Sequence, residues 1–204
     1  MKCKEEESKA GTRFRMVKER HSKRFNKARK EKEADERMIP LCKFIAGTKN
    51  YFTSSSCAGR ILLLKVNEKG DKKEASFHRK WHRKVKLEEV WNGIEEKVNE
   101  RELWFKMEPF IIHVGTHSLD KANKLLEVMN KAGVKRGGII VAKKGKFIVE
   151  MSGTQNMAFP VKIGEKIIIE KNYLKKGIEK ANWKIEKNYW NLKRVEKEMK
   201  KELK

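Results

Sequence analysis

A run of hydroxyl side chains between apolar β-forming residues constrains the fold of this chain more than any other feature. Residues 51–60 read Tyr-Phe-Thr-Ser-Ser-Ser-Cys-Ala-Gly-Arg, and the apolar run 61–64 follows them. A solvated linker does not need such flanking residues, and a core strand does not tolerate so many hydroxyls. We therefore predict a strand end that leads into a tight turn, where small polar groups and bare backbone approach an anion or a flat ligand. The alternative is a serine-rich hairpin turn with Gly59 at a positive φ.

The charge of the chain indicates a polyanionic partner. Its 204 residues contain 51 Lys and Arg against 28 Asp and Glu, a formal net charge of +23. The excess is spread over residues 1–37, 38–164 and 165–204 and is not held in a basic tail. A positive field of this size favours nucleic acid as the partner. The alternative is a solvated, heat-stable protein without such a partner.

The cysteines and the hydropathy restrict the class of protein. Cys3, Cys42 and Cys57 are odd in number and widely spaced, so neither a disulfide framework nor a structural zinc site is indicated. No apolar run approaches the roughly 20 residues that span a bilayer, and residues 1–7 are too charged for a signal peptide. We therefore expect a cytoplasmic protein with no membrane partner, and the sequence implies no protein partner.

Strand-like segments followed by helical segments occur twice along the chain. After a basic N-terminal helix in residues 1–34, we predict a first half in 35–132 and a second half in 133–204 that ends in a long C-terminal helix. This order favours an α+β fold in which a duplicated unit shares one sheet within a single domain, 1–204. No Gly-x-Gly-x-x-Gly motif follows a strand, so a Rossmann nucleotide site is not indicated.

Two local predictions complete this description of the fold. The polar residues 67–73 predict a hairpin loop. In the last helix, apolar residues recur every three or four positions between residues 174 and 199, which predicts a single buried stripe. Trp183 and Trp190 lie seven residues apart and therefore on one helical face, and we attribute both to core packing.

Three side chains have the chemistry of a reactive site. Cys57 belongs to the hydroxyl-rich stretch, and His82 and His113 each end a predicted strand. If the three strands share one sheet, these side chains converge and suit a metal site or an acid–base site. The alternative is that each histidine is a hydrogen-bonded structural residue.

A cationic cluster with an aromatic residue inside it is typical of RNA contact. Nothing acidic lies between Ser76 and Lys86 to neutralise the cluster. Its cations can hold phosphates while the ring stacks on a base, and the alternative is a solvated corner between a strand and a helix. The cluster consists of Arg79, Lys80, Trp81, Arg83, Lys84 and Lys86.

A glycine-containing segment offers a second set of cations. Residues 132–139 place Lys135 and Arg136 directly before a strand, where cations and flexible backbone can bind phosphate or carboxylate. The alternative is an ordinary helix C-cap. Further along, residues 152–154 form either a wall of hydroxyls or a plain turn.

Together and in this order, these blocks resemble the tRNA wybutosine-synthesising protein 3 family. The resemblance covers roughly residue 35 to the final helix. One departure is Gly137, where many members would have a serine, so the hydroxyl contact of that serine is missing here. The blocks are residues 52–61 (Phe-Thr-Ser-Ser-Ser-Cys-Ala-Gly-Arg-Ile), 81–82 (Trp-His), 108–114 (Glu-Pro-Phe-Ile-Ile-His-Val), 132–139 (Ala-Gly-Val-Lys-Arg-Gly-Gly-Ile) and 152–160.

The resemblance implies an activity and a fold. Members of the family are S-adenosylmethionine-dependent methyltransferases that methylate a ring nitrogen of the tricyclic wyosine-type base. This base lies next to the anticodon of phenylalanine tRNA, so the resemblance implies that tRNA as partner and S-adenosylmethionine as cofactor. It also implies a two-repeat α+β fold whose strands form one barrel-like mixed sheet flanked by helices, and not a Rossmann fold.

Roles for individual residues follow from the resemblance. His82 or His113 would accept the proton of the ring nitrogen, and Cys57 is the third catalytic candidate. Arg60 or Lys135 would pair with a carboxylate, and Trp81 would stack on the base. The residues expected to bind the methyl donor are Ser54, Ser55, Ser56, Gly59, Arg60, Lys135, Gly138 and Ser152. The residues expected to hold the anticodon arm are Arg79, Lys80, Trp81, Arg83, Lys84, Lys86 and Arg136.

Two other functions stay open at this point. One is a non-catalytic basic RNA-binding protein, whose salt-sensitive tRNA binding would survive His82→Ala and His113→Ala. The other is a metal-dependent enzyme that uses Cys57, His82 and His113, for which elemental analysis of the purified protein is the test.

Overall fold

The computed structural model describes residues 2–66, 75–98 and 101–203. The predicted hairpin loop at 67–73 lies outside these residues. No helix in the described ranges is both long and apolar enough to cross a bilayer. The helices are α1 (Lys2–Lys30), α2 (Ile39–Gly47), α3 (Leu87–Glu95), α4 (Leu119–Lys131) and α5 (Lys171–Glu202). The strands are β1 (Phe52–Cys57), β2 (Arg60–Val66), β3 (Ser76–Trp81), β4 (Glu102–Glu108), β5 (Ile111–Thr116), β6 (Arg136–Lys143), β7 (Lys146–Ser152), β8 (Met157–Ile163) and β9 (Lys166–Ile167).

The chain divides into two compact units. Unit 1 comprises Met1–Ala58, Phe110–Thr154 and Trp190–Lys204, and unit 2 comprises Gly59–Pro109 and Gln155–Tyr189. Each unit is therefore assembled from segments that are far apart in the sequence. The single domain over 1–204 stays a prediction.

Each unit contains one antiparallel sheet. The strand order is β1-β5-β7-β6 in unit 1 and β3-β2-β4-β8-β9 in unit 2. All ladders between the described strands are antiparallel. The α+β class is thus confirmed, but the prediction of one barrel-like mixed sheet is wrong. The physical reason is that β1 pairs with β5 whereas β2 pairs with β3 and β4, and among the described residues neither sheet closes into a barrel.

The hydroxyl-rich stretch lies in strand β1 and not in a turn, which corrects the prediction for residues 53–57. Thr53 pairs with Val114 and Ser55 pairs with His113, so Ser54 is an extra residue that forms a bulge. β1 accommodates the hydroxyls because it is the edge strand of its sheet, where Ser55 is exposed and its neighbours are half-buried.

The core of unit 1 lies on both faces of its sheet. Helix α4 begins at Ser118, whose hydroxyl accepts a hydrogen bond from the backbone N–H of Lys121 at 3.3 Å. Its apolar face is fully buried, as are Ile112 and Val114 of β5. A smaller cluster comprises Phe14, Phe52 and Ile148. These contacts give the hydroxyl-rich strand two rigid neighbours, the central strand β5 and the helix α1.

The apolar stripe of helix α5 is confirmed, but the assignment of its tryptophans to the core is wrong. Trp183 is 49% exposed and Trp190 is 58% exposed. Trp183 lies two positions from the buried residues Ala181 and Ile185. Two positions correspond to a rotation of about 200° around an α-helix, so the ring points away from the buried stripe. Spacing between two residues places them on one face, but it does not say which face is buried.

Candidate active site on the sheet of unit 1

A polar row crosses all four strands of the unit 1 sheet. Ser55 of β1 lies opposite His113 of β5, His113 lies opposite Glu150 of β7, and Glu150 lies opposite Gly138 of β6. Residues that lie opposite each other in a ladder point to the same face of a sheet. Cys57 pairs with Ile111, two positions from His113, and is therefore on this face as well. Four predicted site residues, Ser55, Cys57, His113 and Gly138, therefore lie on one face of the sheet with Glu150.

His113 and Glu150 form a close pair at the centre of the row. The distance between His113 Nε2 and Glu150 Oε2 is 2.7 Å, and the two side chains are 24% and 28% exposed. An ionised carboxylate only accepts hydrogen bonds, so Nε2–H donates and the lone pair of neutral His113 is on Nδ1. A carboxylate thereby orients the imidazole as a base whose second nitrogen can take up a proton.

Glu150 was absent from the residues proposed from the sequence. It is the only charged residue in the segment 147–151, Phe-Ile-Val-Glu-Met. A carboxylate in a strand of this kind is costly unless a polar partner satisfies it. This cost indicates that Glu150 has a polar partner. The sequence does not identify the partner as His113, because 37 residues separate the two positions.

A cavity of about 530 Å³ lies along the hydroxyl-rich strand. Phe52, Gly115 and Ile148, which pack next to α1, point to the same face as the polar row, so α1 and the row share one side of the sheet. The lining consists of His21, Arg24, Phe25, Lys27 and Ala28 of α1, then Glu31, Glu33, Ala34, Asp35 and Met38, and Thr53, Ser54, Ser55 and Ser56 of β1. The lining combines hydroxyls, cations, three carboxylates and aromatic rings.

Asp35 of the cavity lining accepts two backbone hydrogen bonds. Its Oδ2 accepts a hydrogen bond from the backbone N–H of Ala58 at 2.7 Å, and its Oδ1 accepts one from Arg37 N–H at 3.2 Å. The carboxylate therefore ties the segment after α1 to the end of β1. Asp35 was not predicted from the sequence, because its partner Ala58 is 23 residues away.

Burial shifts the pKa values of two side chains that contact β1. Burial raises the pKa of Cys42, whose thiol lies 3.4 Å from the Ser56 hydroxyl. This thiol therefore stays protonated and acts as a packing group. Burial, and then the nearby cations beginning with Arg20, lower the pKa of His21, which stacks on Phe52 with ring centroids 4.9 Å apart. His21 therefore offers the cavity a flat, neutral ring near pH 7.

The other predicted residues of unit 1 surround the polar row. The Ser152 hydroxyl donates to backbone carbonyls, with Phe110 O at 3.2 Å and Gly153 O at 3.3 Å. Lys135 and Arg136 are exposed at the start of β6. A Cβ atom on Gly137 would lie 2.1 Å from the carbonyl oxygen of Glu150. This close approach explains the glycine at the position where the resemblance led us to expect a serine.

The remaining predicted site residues belong to unit 2. His82 Nδ1 lies 3.2 Å from the carbonyl oxygen of Gly59, which accepts the hydrogen bond. The Arg60 guanidinium pairs with Glu108 at 2.8 Å and lies over the ring of Phe77. Because Cys57 and His113 are in unit 1 and His82 is in unit 2, the metal-dependent alternative stays a prediction.

The cationic cluster of unit 2 has counter-ions from two helices. Arg79 pairs with Glu96, Arg83 with Glu89 at 2.5 Å, and Lys84 with Glu186 at 2.6 Å. The hydrogen bond from Arg83 lowers the pKa of Glu89 to about 2. Residues 76–86 alone do not reveal these partners, because α3, its C-cap residue Glu96 and α5 supply them. Exposed pairs of this kind contribute little to stability.

Comparison with known proteins places the chain in one family. The family model described as "Methyltransferase TYW3" matches residues 13–201. A protein of Thermococcus kodakarensis, named tRNA(Phe) 7-((3-amino-3-carboxypropyl)-4-demethylwyosine(37)-N(4))-methyltransferase 1, is 34% identical over 92% of this chain and 94% of its own length. The protein of the same name from Pyrococcus furiosus is 37% identical over 86% of this chain and 94% of its own.

A vertebrate protein and a solved structure agree with this placement. The tRNA wybutosine-synthesizing protein 3 homolog of Danio rerio is 34% identical over 82% of this chain and 66% of its own length. A solved structure of a Pyrococcus horikoshii protein superposes with a TM-score of 0.84 at 35% identity, covering 92% of this chain and 96% of that one. With a family model and relatives that span most of its length, the chain belongs to the methyltransferase TYW3 family.

Proposed function

We propose that this protein is an S-adenosylmethionine-dependent methyltransferase that acts on tRNA(Phe). Its substrate group is N4 of 7-(3-amino-3-carboxypropyl)-4-demethylwyosine at position 37, next to the anticodon, as in the names of its relatives. The observation that carries the proposal within this chain is the His113–Glu150 pair beside the hydroxyl-rich strand and its cavity. A cytosolic location is part of the proposal.

The cavity along β1 fits the chemistry of the methyl donor. S-Adenosylmethionine has a carboxylate, an ammonium group, two ribose hydroxyls and a flat adenine ring. Arg24 suits the carboxylate, and Asp35 suits the ammonium group or the hydroxyls. The rings of His21 and Phe25 suit adenine. A volume of about 530 Å³ lies within the usual range of small-molecule sites.

The chemistry divides between the cofactor and the protein. When bound, the cofactor supplies a methyl group that is already activated by a positively charged sulfur. His113 Nδ1 takes up the proton that the substrate nitrogen loses, and Glu150 stabilises the resulting imidazolium. Ser55 lines the cavity and lies opposite His113 in the ladder, so the cavity is next to the proton acceptor. The protein thus contributes alignment and one proton acceptor.

The cations at the surface fit the rest of the substrate. Lys135 and Arg136 are exposed at the start of β6, the strand that carries Gly138 of the polar row. Lys135 is therefore the better of the two predicted partners for the carboxylate on the base, because Arg60 already pairs with Glu108. The cluster at residues 79–86 and the net charge of +23 suit the anticodon arm.

Titration calorimetry with S-adenosylmethionine tests the site of the methyl donor. We expect saturable binding by the protein and an affinity about tenfold lower in Arg24→Gln, because a charged hydrogen bond is worth roughly 1.5–3 kcal/mol. Arg13→Gln is the matched control, since it makes the same change at an exposed position of α1 outside the cavity. An equal loss of affinity in Arg24→Gln and Arg13→Gln would show that the methyl donor does not bind in this cavity.

The activity itself is tested by mass spectrometry of the nucleoside at position 37. tRNA(Phe) that carries the unmethylated tricyclic base should gain the mass of one methyl group when protein and S-adenosylmethionine are added. RNA binding without this mass gain, and without calorimetric binding of the cofactor in the presence of that tRNA, would instead support the RNA-binding alternative.

Glu150→Gln tests whether Glu150 orients and stabilises His113 as the proton acceptor or only packs against it. Glutamine keeps an oxygen for His113 Nε2–H but lacks the charge that stabilises the imidazolium. We expect kcat to fall about tenfold, with KM for S-adenosylmethionine unchanged, in steady-state assays. Glu165→Gln, at an exposed turn, is the control for the loss of one carboxylate. A raised KM with an unchanged kcat would contradict the assigned role of Glu150.

A further inference from the structure

Helix α5 exposes an aromatic ring between two ammonium groups within unit 2. Trp183 is 49% exposed, and the Nζ atoms of Lys180 and Lys187 lie 4.8 Å and 5.1 Å from its ring centroid. Positions 180, 183 and 187 follow each other at spacings of three and four, so they share one helical face. We call these three residues the Trp183 platform. None of them has a role in the site on the sheet of unit 1.

The Trp183 platform is continuous with the basic corner after β3. The backbone N–H of Val85 donates to Asn182 Oδ1 at 3.0 Å, and Asn182 Nδ2 donates to the carbonyl oxygen of Val85 at 2.9 Å. The Tyr189 hydroxyl donates to the carbonyl oxygen of His82 at 2.9 Å. Lys84 pairs with Glu186 at 2.6 Å. These contacts hold the corner alongside residues 182–189. Glu186, the partner of Lys84, lies three positions from Trp183 and next to Lys187, so the corner adjoins the platform at this residue.

The charge of this surface determines the class of ligand that it fits. The α5 segment 171–189 contains six lysines and two glutamates. The adjoining corner adds Lys86, together with Arg83 and Lys84, which pair with Glu89 and Glu186, in a chain whose net charge is +23. An exposed tryptophan among so many cations matches a polyanion that also carries a flat apolar face. An RNA with an unpaired base has both properties.

We propose that the Trp183 platform stacks an unpaired base of the RNA substrate while the adjoining basic corner holds the flanking phosphates, an inference that rests on the proposed function. A base displaces one of the two lysines from the ring face. The displaced ammonium group then lies close to the neighbouring phosphate. The exchange is favourable because an exposed cation–π contact is worth about 0.5–1 kcal/mol. Stacking of a base on an aromatic side chain is worth about 1–3 kcal/mol.

The test measures the affinity of the full-length protein for a tRNA(Phe) transcript by fluorescence anisotropy at several salt concentrations. We expect Trp183→Leu to bind about tenfold more weakly, whereas Trp183→Phe keeps most of the affinity. The dependence of log K on log salt should be unchanged in Trp183→Leu, because no cation is lost. In Lys187→Gln the slope should fall by about 1. A fully paired RNA duplex should bind the protein and Trp183→Leu equally.

Three results would contradict the proposed role of the Trp183 platform. The first is equal affinity of the protein and Trp183→Leu for the transcript. The second is an equal loss on the transcript and on the duplex, which would mean that no unpaired base is read. The third is a dimer of the unaltered protein that becomes a monomer in Trp183→Leu, which would mean that a second copy covers the ring. Because these results concern RNA affinity and assembly, they are distinct from a failure of methyl transfer or of cofactor binding.

Discussion

His113→Ala is expected to lower the rate of methyl transfer to tRNA(Phe) by about 10²- to 10⁴-fold, the usual contribution of a positioned proton acceptor. The Glu150 carboxylate, 2.7 Å from His113 Nε2, orients the imidazole so that Nδ1 can accept a proton. The affinity for S-adenosylmethionine should change little, because the imidazole is outside the lining of the β1 cavity. Single-turnover kinetics and titration calorimetry measure the two quantities separately.

The second histidine predicted from the sequence gives the decisive comparison. His82→Ala should cost less than His113→Ala, because the partner of His82 Nδ1 is the neutral carbonyl oxygen of Gly59, which stabilises an imidazolium less than the Glu150 carboxylate does. His117→Ala is a further control at the end of the same strand, where the ring packs edge-on against Phe14. A larger loss in His82→Ala than in His113→Ala would assign the proton acceptor to unit 2 and refute the role of the polar row.

Gly59→Ala is expected to lower the free energy of unfolding by about 2–5 kcal/mol. Gly59 has φ +98, which costs an L-residue about 1–2 kcal/mol. A Cβ atom would also lie 2.6 Å from Asn188 Nδ2 and 2.8 Å from the carbonyl oxygen of Glu108. Overpacking against backbone adds about 1–3 kcal/mol, because the carbonyl cannot move alone. Urea denaturation followed by circular dichroism measures the change.

Gly164→Ala isolates the contribution of the crowding around Gly59. Gly164 also has a positive φ, +55, but nothing lies within 4 Å of the site of its Cβ. We expect this variant to lose only the conformational part, about 1 kcal/mol. An equal loss of unfolding free energy in the two variants would show that Asn188 and Glu108 move to accommodate the Cβ atom at no energetic cost.

Local pattern was sufficient for much of the fold. The apolar stripe of α5 depends on neighbours within a few positions of the chain, so the spacing of apolar residues was enough to predict it. The division into two sheets did not follow from such patterns. It depends on β1 pairing with β5 and β2 pairing with β4, across about fifty residues, and alternation in a strand does not name its partner.

The candidate site shows the same limit. The serines, Cys57 and His113 were found from residue type and order, because reactive and hydroxyl side chains stand out among apolar β-formers. Glu150 and Asp35 were missed, since a single carboxylate is informative only once its partner is known. The counter-ions of Arg83 and Lys84 come from helices, so the local charge count overstated the free positive charge.

The crowding at Gly137 has a consequence for exchanging parts between relatives. A side chain at this position would meet the backbone of β7, 2.1 Å from the oxygen of Glu150. The single substitution Gly137→Ser is therefore not enough to introduce the serine of another family member. The whole hairpin of β6 and β7 has to be transplanted as one block, so that the donor protein's own strand spacing comes with its hydroxyl. Position 137 is thus coupled to its facing strand, and chimeras should have their crossover points outside residues 136–152.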